Sequence, residues 1–394
     1  MKKRIAILTL SVGSGHLRAS NVIREACGDS HEPPEVRVMD ALDTARTWFH
    51  WVYVQSYWWM LRQQPHLWRR LYERRQLKRH RATAPEWVFR RGCAPLLREL
   101  KSFDPHLIIA TEIGAAEIAA LSRREGVTSA PILAVLTDFH SEPPWVQPEI
   151  DFYCVASDAA RRQLIQWGVS PHRILNSGIP IDPVFSMPLA KAEAARSLGL
   201  SAARPVVLVM AGGMGPAPLH EITEQLEYCK LPLQVVAVAG RDRVAKARLD
   251  ALRGRLALDL FTFGWCDRVP ELMAASDLLI TKPGGLTVSE ALAAGLPMLL
   301  THPIPGPEER NLQFLVESGV AVRAKKLEDI SDLTFELLAD SPLRKEMAQK
   351  ARDMARPDAG HAIAQVAQAL LDKAAYIDLL AMPPVHSGET AYLM

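Results

Sequence analysis

No stretch of this chain offers about 18 uninterrupted apolar residues, so no membrane-spanning helix is expected. The five cysteines, Cys27, Cys93, Cys154, Cys229 and Cys266, are odd in number and form no Cys-x-x-Cys pair. A disulfide framework and a structural zinc site are therefore not expected, which suits a reducing cytoplasm. Net charge is only +2, which gives no global nucleic-acid signature. No internal repeat recurs at a period of roughly 20–50 residues, which argues against solenoids and propellers. The apolar run after Met1-Lys-Lys-Arg is short and leads into Gly13-Ser-Gly-His16 instead of a small-residue cleavage site. It reads as a first buried strand, not as a signal peptide.

What is present is a folded, two-domain composition. The 394 residues are 48% hydrophobic and 23% charged, and the chain is too long for one ordinary core. Short apolar runs alternate with helix-length amphipathic stretches. Strands are predicted at residues 4–10, 36–39, 107–110, 132–136, 152–155 and 174–175. A second series covers 206–210, 234–239, 258–263, 278–280, 298–300 and 321–322, with helices such as 159–167 and 288–294 in between. Runs this continuously apolar fit parallel strands covered on both faces, the pattern of two doubly wound α/β units. Pro180, Pro183 and Pro188 interrupt the pattern and set a boundary near 183–204. The expected domains are 1–184 and 205–360. A helix and tail at 361–394 should pack back on the first, and the end, 376–394, should be loosely held.

Two glycine turns carry the chemistry. The first strand runs into Gly13-Ser-Gly15-His16, and Asp40 ends the next strand where a ribose-binding acid would sit in a nicotinamide-dinucleotide fingerprint. Arg18 stands where that fingerprint needs Gly or Ala, which counts against it. The alternative gives the loop to an acceptor. Gly13 and Gly15 let the backbone bend and a substrate approach, and His16 becomes a general base, or else a polar cap. In the second half, Ala211-Gly212-Gly213-Met-Gly215 follows a strand in the equivalent place and is a candidate phosphate-facing turn. Lys282-Pro-Gly284-Gly285-Leu-Thr287-Val-Ser-Glu290 adds a second such turn and a carboxylate for ribose hydroxyls. Standing by itself, Glu290 would read as a solvated helix carboxylate. No Asp-x-Asp triplet occurs, so the metal-on-diphosphate arrangement of one large class of sugar transferases is not expected. Helix amides and Arg241 would meet the leaving-group charge instead, although Arg241 also reads as half of a surface ion pair.

Four segments together resemble a known family: Gly13-Ser-Gly-His16; Leu136-Thr-Asp138-Phe139 with Trp145; Asn176-Ser-Gly-Ile-Pro-Ile181; and Lys282–Glu290 with Pro305-Gly-Pro-Glu308-Glu309-Arg-Asn311. The chain resembles the monogalactosyldiacylglycerol synthases and the bacterial processive diacylglycerol glucosyltransferases, relatives of the enzyme that adds N-acetylglucosamine to lipid I. The resemblance implies the GT-B fold, two doubly wound Rossmann-like domains facing a cleft, with acceptor bound by the first and UDP-sugar by the second. It implies inverting, metal-independent transfer of a hexose from UDP to a lipid hydroxyl, with no cofactor besides the donor substrate. His16 matches the family's proposed base and Glu290 its ribose-binding acid. Gly284, Gly285 and Thr287 match the diphosphate-facing loop, and Glu308, Glu309 and Asn311 the sugar-facing segment. Two positions depart from the pattern. Pro307 replaces a glutamine able to bond sugar hydroxyls, and Gln147 stands where a histidine often follows the tryptophan.

Residues 48–91 form a basic aromatic arm. Six of the nine tryptophans lie there, Trp48, Trp51, Trp58, Trp59, Trp68 and Trp87. So do Arg62, Arg69, Arg70, Arg74, Arg75, Lys78, Arg79, Arg81, Arg90 and Arg91, against Glu73 and Glu86. On a regular helix Trp48, Val52 and Trp59 would share one side. Tryptophan suits the water–lipid boundary, and each cation near an anionic surface adds about 1 kcal/mol. The expected partners are thus a UDP-hexose, a diacylglycerol-like lipid and an anionic membrane surface, at the inner face of the cell membrane, with no nucleic acid. A UDP-sugar epimerase of the same fold and a non-catalytic lipid-binding protein are the competing readings.

Overall fold

The computed structural model describes residues 2–29, 32–78, 82–187, 189–212 and 217–372. Gly213, Gly215, Arg79, Arg81, Pro188 and the tail 376–394, all singled out above, lie outside the described residues. Among the described residues twelve strands form: β1 (Arg4–Thr9), β2 (Glu35–Asp40), β3 (Leu107–Ala110), β4 (Ile132–Val135), β5 (Phe152–Val155), β6 (Ile174–Asn176), β7 (Val206–Met210), β8 (Gln234–Val238), β9 (Asp259–Phe263), β10 (Leu278–Thr281), β11 (Met298–Leu300) and β12 (Ala321–Arg323). They make two six-stranded sheets, ordered β2-β1-β3-β4-β5-β6 and β12-β11-β10-β7-β8-β9. Every pairing is parallel. The chain divides into two compact units, one of Met1–Val12, His16–Pro180 and Asp358 onward, the other of Gly13–Gly15 and Ile181–Pro357.

In the first unit, β3, β4 and β5 are buried at every position, because helices cover both faces of the sheet. One face packs Ala6, Leu8, Ile108 and Ala110 against Ala115, Ala116, Ile118 and Ala119 of the helix Ile113–Arg124. The opposite face packs Ile5, Ile7, Leu107 and Ile109 against Ile23 and against Ile363, Val366, Ala367 and Leu370 of the helix Ala359–Leu371. The polypeptide thus leaves this unit at Pro180 and returns at Asp358 to finish its core. Each large aliphatic side chain so buried contributes about 1.5–3 kcal/mol.

Strand order fixes where ligands can sit. From β1 the chain moves to β2 on one side and then crosses to β3 on the other. In the second unit it moves from β7 to β8 and β9, then crosses back to β10. The carboxyl ends of β1 and β3, and of β7 and β10, are therefore topological switch points, where adjacent loops part and leave a crevice.

The arm is not one regular helix. It runs through Thr47–Phe49, a π-helical stretch His50–Gln55, Ser56–Gln63, Pro65–Lys78 and Glu86–Gly92. The wider π turn breaks the 3.6-residue period, so the expectation that Trp48 shares a face with Val52 and Trp59 fails. Val52 and Trp59 are exposed, whereas Trp48 packs on the core and stacks on Trp87 at 6.0 Å. Phe49 is buried, and Tyr53 stacks on its ring at 5.2 Å.

Candidate active site

At the first switch point the helix Ser14–Gly28 starts just after β1, and His16 sits in its first turn. His16 Nδ1 lies 3.2 Å from the Thr111 carbonyl oxygen, just beyond β3, and 2.9 Å from Thr137 Oγ1, just beyond β4. A carbonyl oxygen only accepts, so this bonding pattern assigns the proton to Nδ1 and leaves the lone pair on Nε2. Ser20, one turn along, donates to the His16 carbonyl at 2.9 Å and meets Thr111 Oγ1 at 2.8 Å, pinning the helix to β3. His16 is thus an oriented histidine, held by residues from two strand ends. Sequence alone does not single out Thr111 or Ser20, since neither carries a motif and only strand order brings them together.

The other predicted residues here fall into distinct places. Gly13 lies at a bend in the chain and Gly15 in the first turn of the helix, and neither has positive φ. Asp138 follows Thr137 and is half-buried. Trp145 is only 6% exposed and belongs to the core cluster, where its role is packing. Gln147 is buried and its Nε2 donates to the Pro144 carbonyl at 2.9 Å, bracing the same loop. Asp40, the acid of the dinucleotide alternative, accepts from Leu42 N at 2.9 Å and from Ser11 N at 3.2 Å. It caps the helix after β2, which accounts for an acid at that strand end.

Behind this loop the arm is tied to the core by polar groups largely withdrawn from water. Glu112 caps the helix Ile113–Arg124, accepting from Ala115 N at 3.0 Å, and desolvation pushes its pKa up to about 7. Glu117 accepts from Thr83 N at 2.8 Å and from the Thr83 hydroxyl, and desolvation pushes it up to about 8. Tyr53 bonds Thr83 Oγ1 at 3.1 Å, and Arg75 pairs with Glu142. Arg75 is therefore part of this anchor and not of a cationic surface. Arg90 is likewise occupied by Glu86 and Glu125. Facing solvent are Trp51 (68% exposed), Val52, Trp59 (57%), Leu67, Leu71 and Arg70. Trp58 and Arg69 are half-buried, with Tyr57 edge-on to Trp58 at 5.3 Å.

In the second unit the turns after β7 and β10 converge. Gly212 has φ of 73°, a conformation only glycine adopts freely, and a Cβ there would lie 3.9 Å from both Lys282 Cε and Thr287 Oγ1. The helix Gly285–Ala293 begins here with Gly284 as its cap and no side-chain bond to its first amides. Those amides and the helix dipole favour an anion. Glu290 is 2% exposed, which rules out the solvated helix carboxylate. Asn311 is fully buried and its Nδ2 donates to the Pro283 carbonyl at 3.1 Å, fastening the helix Pro307–Glu317 to the glycine turn. Glu308 pairs with Lys282 and accepts from Ile304 N at 2.8 Å, while Glu309 accepts from Gly306 N at 3.0 Å. The segment expected to face the sugar thus also braces the loop.

Lys282 carries the cation at this turn, a role that its place in the motif did not announce. Arg241 sits beyond β8 with its guanidinium 4.5 Å from the centroid of the Trp265 ring, which lies beyond β9. That stacking replaces the surface ion pair, and Asp242 instead caps the helix Arg243–Leu252. Trp265 was missed because nothing in its local sequence marks it; only strand adjacency brings it to Arg241.

Two parallel doubly wound sheets, each with its loops gathered at a switch point, make up the GT-B fold. The crystal structure of Acinetobacter baumannii MurG shares the fold, with a TM-score of 0.59 at 17% identity over 93% of this chain and 99% of that one. Residues 16–181 match the family described as monogalactosyldiacylglycerol (MGDG) synthase, and residues 193–354 match glycosyl transferases group 1. The processive diacylglycerol β-glucosyltransferase of Bacillus subtilis (strain 168) is 29% identical over 356 residues, 89% of this chain and 91% of the relative. That of Bacillus licheniformis is 33% identical over 267 residues, 68% and 69% of the two chains. This chain belongs to the family of monogalactosyldiacylglycerol synthases and processive diacylglycerol β-glucosyltransferases, and it is a glycosyltransferase of glycolipid synthesis.

Proposed function

We propose that this enzyme transfers a hexose from a UDP-sugar to the hydroxyl of diacylglycerol or a similar lipid at an anionic membrane surface. The observation that carries the reading is His16, fixed at a switch point with its Nδ1 on the Thr111 carbonyl. Nε2 then accepts the proton of the lipid hydroxyl as its oxygen attacks the anomeric carbon. The bond from that carbon to the UDP oxygen breaks with its electron pair, and a single displacement inverts the centre. The departing diphosphate would meet the amides at the start of Gly285–Ala293 together with the Lys282 ammonium. Glu290 is the candidate partner for the ribose. The stacked pair Arg241 and Trp265 offers a flat surface for the base at the same edge of the sheet. No metal is required in this scheme, since amides and one cation take its place.

Support for the membrane comes from the arm. Trp51, Val52, Trp59, Leu67 and Leu71 are apolar and exposed, close in sequence to Arg62, Arg69, Arg70 and Arg74. That combination suits an interface of head groups and acyl chains. Among the described residues no helix is long and apolar enough to cross a membrane.

Substituting His16 with alanine tests the central assignment. Transfer should be lost while UDP still binds by calorimetry, and near wild-type turnover would refute the base. Labelled UDP-hexose, incubated with and without diacylglycerol, separates transfer from epimerisation by whether the label leaves the nucleotide for the lipid.

A further inference from the structure

His302 occupies a position that its own backbone disfavours. It follows β11 with φ of 47°, in the left-handed region that few non-glycine residues adopt, asparagine, aspartate and histidine foremost among them. Pro303 restricts it further. A non-glycine residue held at this angle, in a loop at the carboxyl end of a sheet, directs attention to its side chain.

The location is specific. Thr301 N donates to the Thr281 carbonyl at 3.0 Å, so His302 starts directly beside the Lys282 turn. Its imidazole also feels the Glu221 carboxylate, on the helix Leu219–Gln225 that follows the β7 loop. Nδ1 is 2.8 Å from the Thr301 hydroxyl, which fixes the ring. Among the described residues, Nε2 has no hydrogen-bond partner. Partial burial lowers the imidazole pKa from 6.5, so the ring is neutral at pH 7.

Around it, the polar groups with a claim on the donor sugar have structural tasks. Glu308 holds Lys282 and Ile304 N, Glu309 holds Gly306 N, Asn311 holds the Pro283 carbonyl, and Pro307 has no donor. We infer that His302 is a sugar-reading residue, whose Nε2 makes a hydrogen bond to a hydroxyl of the donor hexose. This rests on the reading of the second unit as the UDP-sugar site.

The test uses the full chain with His302→Gly and His302→Asn, both of which accept the left-handed backbone. Calorimetry with UDP, UDP-glucose and UDP-galactose is paired with initial rates on diacylglycerol micelles. Both variants should bind UDP as the wild type does and melt no lower. His302→Gly should raise KM for the preferred UDP-hexose about tenfold, the size of one lost hydrogen bond, and flatten the glucose-to-galactose preference. His302→Asn, with a shorter amide, should fall between. An unchanged ratio of sugar-nucleotide to UDP affinity in both variants, with UDP still bound, would overturn the inference alone. Failure of the wild type to bind UDP would overturn the donor site itself and this inference with it.

Discussion

Replacing Glu117 by glutamine isolates the cost of a buried carboxylate. The amide side chain can keep the geometry, accepting from Thr83 N through its carbonyl and donating to the Thr83 hydroxyl through its NH2 group. The folded protein holds the Glu117 proton more tightly than the unfolded chain, because the pKa rises from 4.5 to about 8. The associated stability is fully present below pH 4.5 and is lost as pH climbs through about 8. At about 1.4 kcal/mol for each tenfold change in proton affinity, the full loss is about 5 kcal/mol, of which about 3 falls between pH 6 and 9. Glu112, raised from 4.5 to about 7, adds a smaller loss of about 1–2 kcal/mol over the same interval. Urea unfolding followed by tryptophan fluorescence is the suitable assay. Eight of the nine tryptophans, all except Trp265, lie between residues 16 and 180 and report on the first unit. Wild type should lose about 4 kcal/mol between pH 6 and 9, and E117Q should lose about 1–2. Parallel pH slopes for the two proteins would refute the argument, since Glu117 would then ionise as readily folded as unfolded.

Other perturbations probe separate joints. Gly114→Ala places a methyl 2.7 Å from the Tyr53 hydroxyl and 3.1 Å from Glu112 Oε2, so it should cost about 1–3 kcal/mol in the same unfolding assay. Asn311→Ala leaves the Pro283 carbonyl without its donor. It should cost about 1–3 kcal/mol and weaken UDP binding measured by calorimetry. Replacing Trp51 and Trp59 together with serine should leave folding within about 0.5 kcal/mol of wild type, since both side chains are exposed. Flotation with anionic vesicles should fall in that double variant; equal recovery would remove these two side chains from the membrane contact.

The sheets were legible in the sequence because parallel strands buried on both faces leave continuous apolar runs. All twelve strands form within two residues of the expected ends. The arm was not. Its aromatic residues were visible, but a π turn at His50–Gln55 depends on local backbone bonding that no residue period announces. The same limit separates Arg75 from Arg70, equal in charge along the sequence yet one half-buried against Glu142 and the other exposed. At the candidate site, motif residues such as His16 and Glu290 could be named from spacing. Their supports, Thr111, Thr137, Ser20 and Lys282, become meaningful only once strand order places neighbouring loops side by side. His302 is the extreme case, since its interest lies in a backbone angle.

The return of the chain to its starting unit bears on how this protein comes into being. Until the helix Ala359–Leu371 has been made, the face presented by Ile5, Ile7, Leu107 and Ile109 lacks part of its cover. On the ribosome, the unit synthesised first would therefore wait for residues made roughly 180 positions later, with an apolar sheet face open to chaperones or to other chains meanwhile. A fragment ending near residue 180 should for the same reason be aggregation-prone, and supplying residues 358–372 as a separate peptide should rescue its solubility.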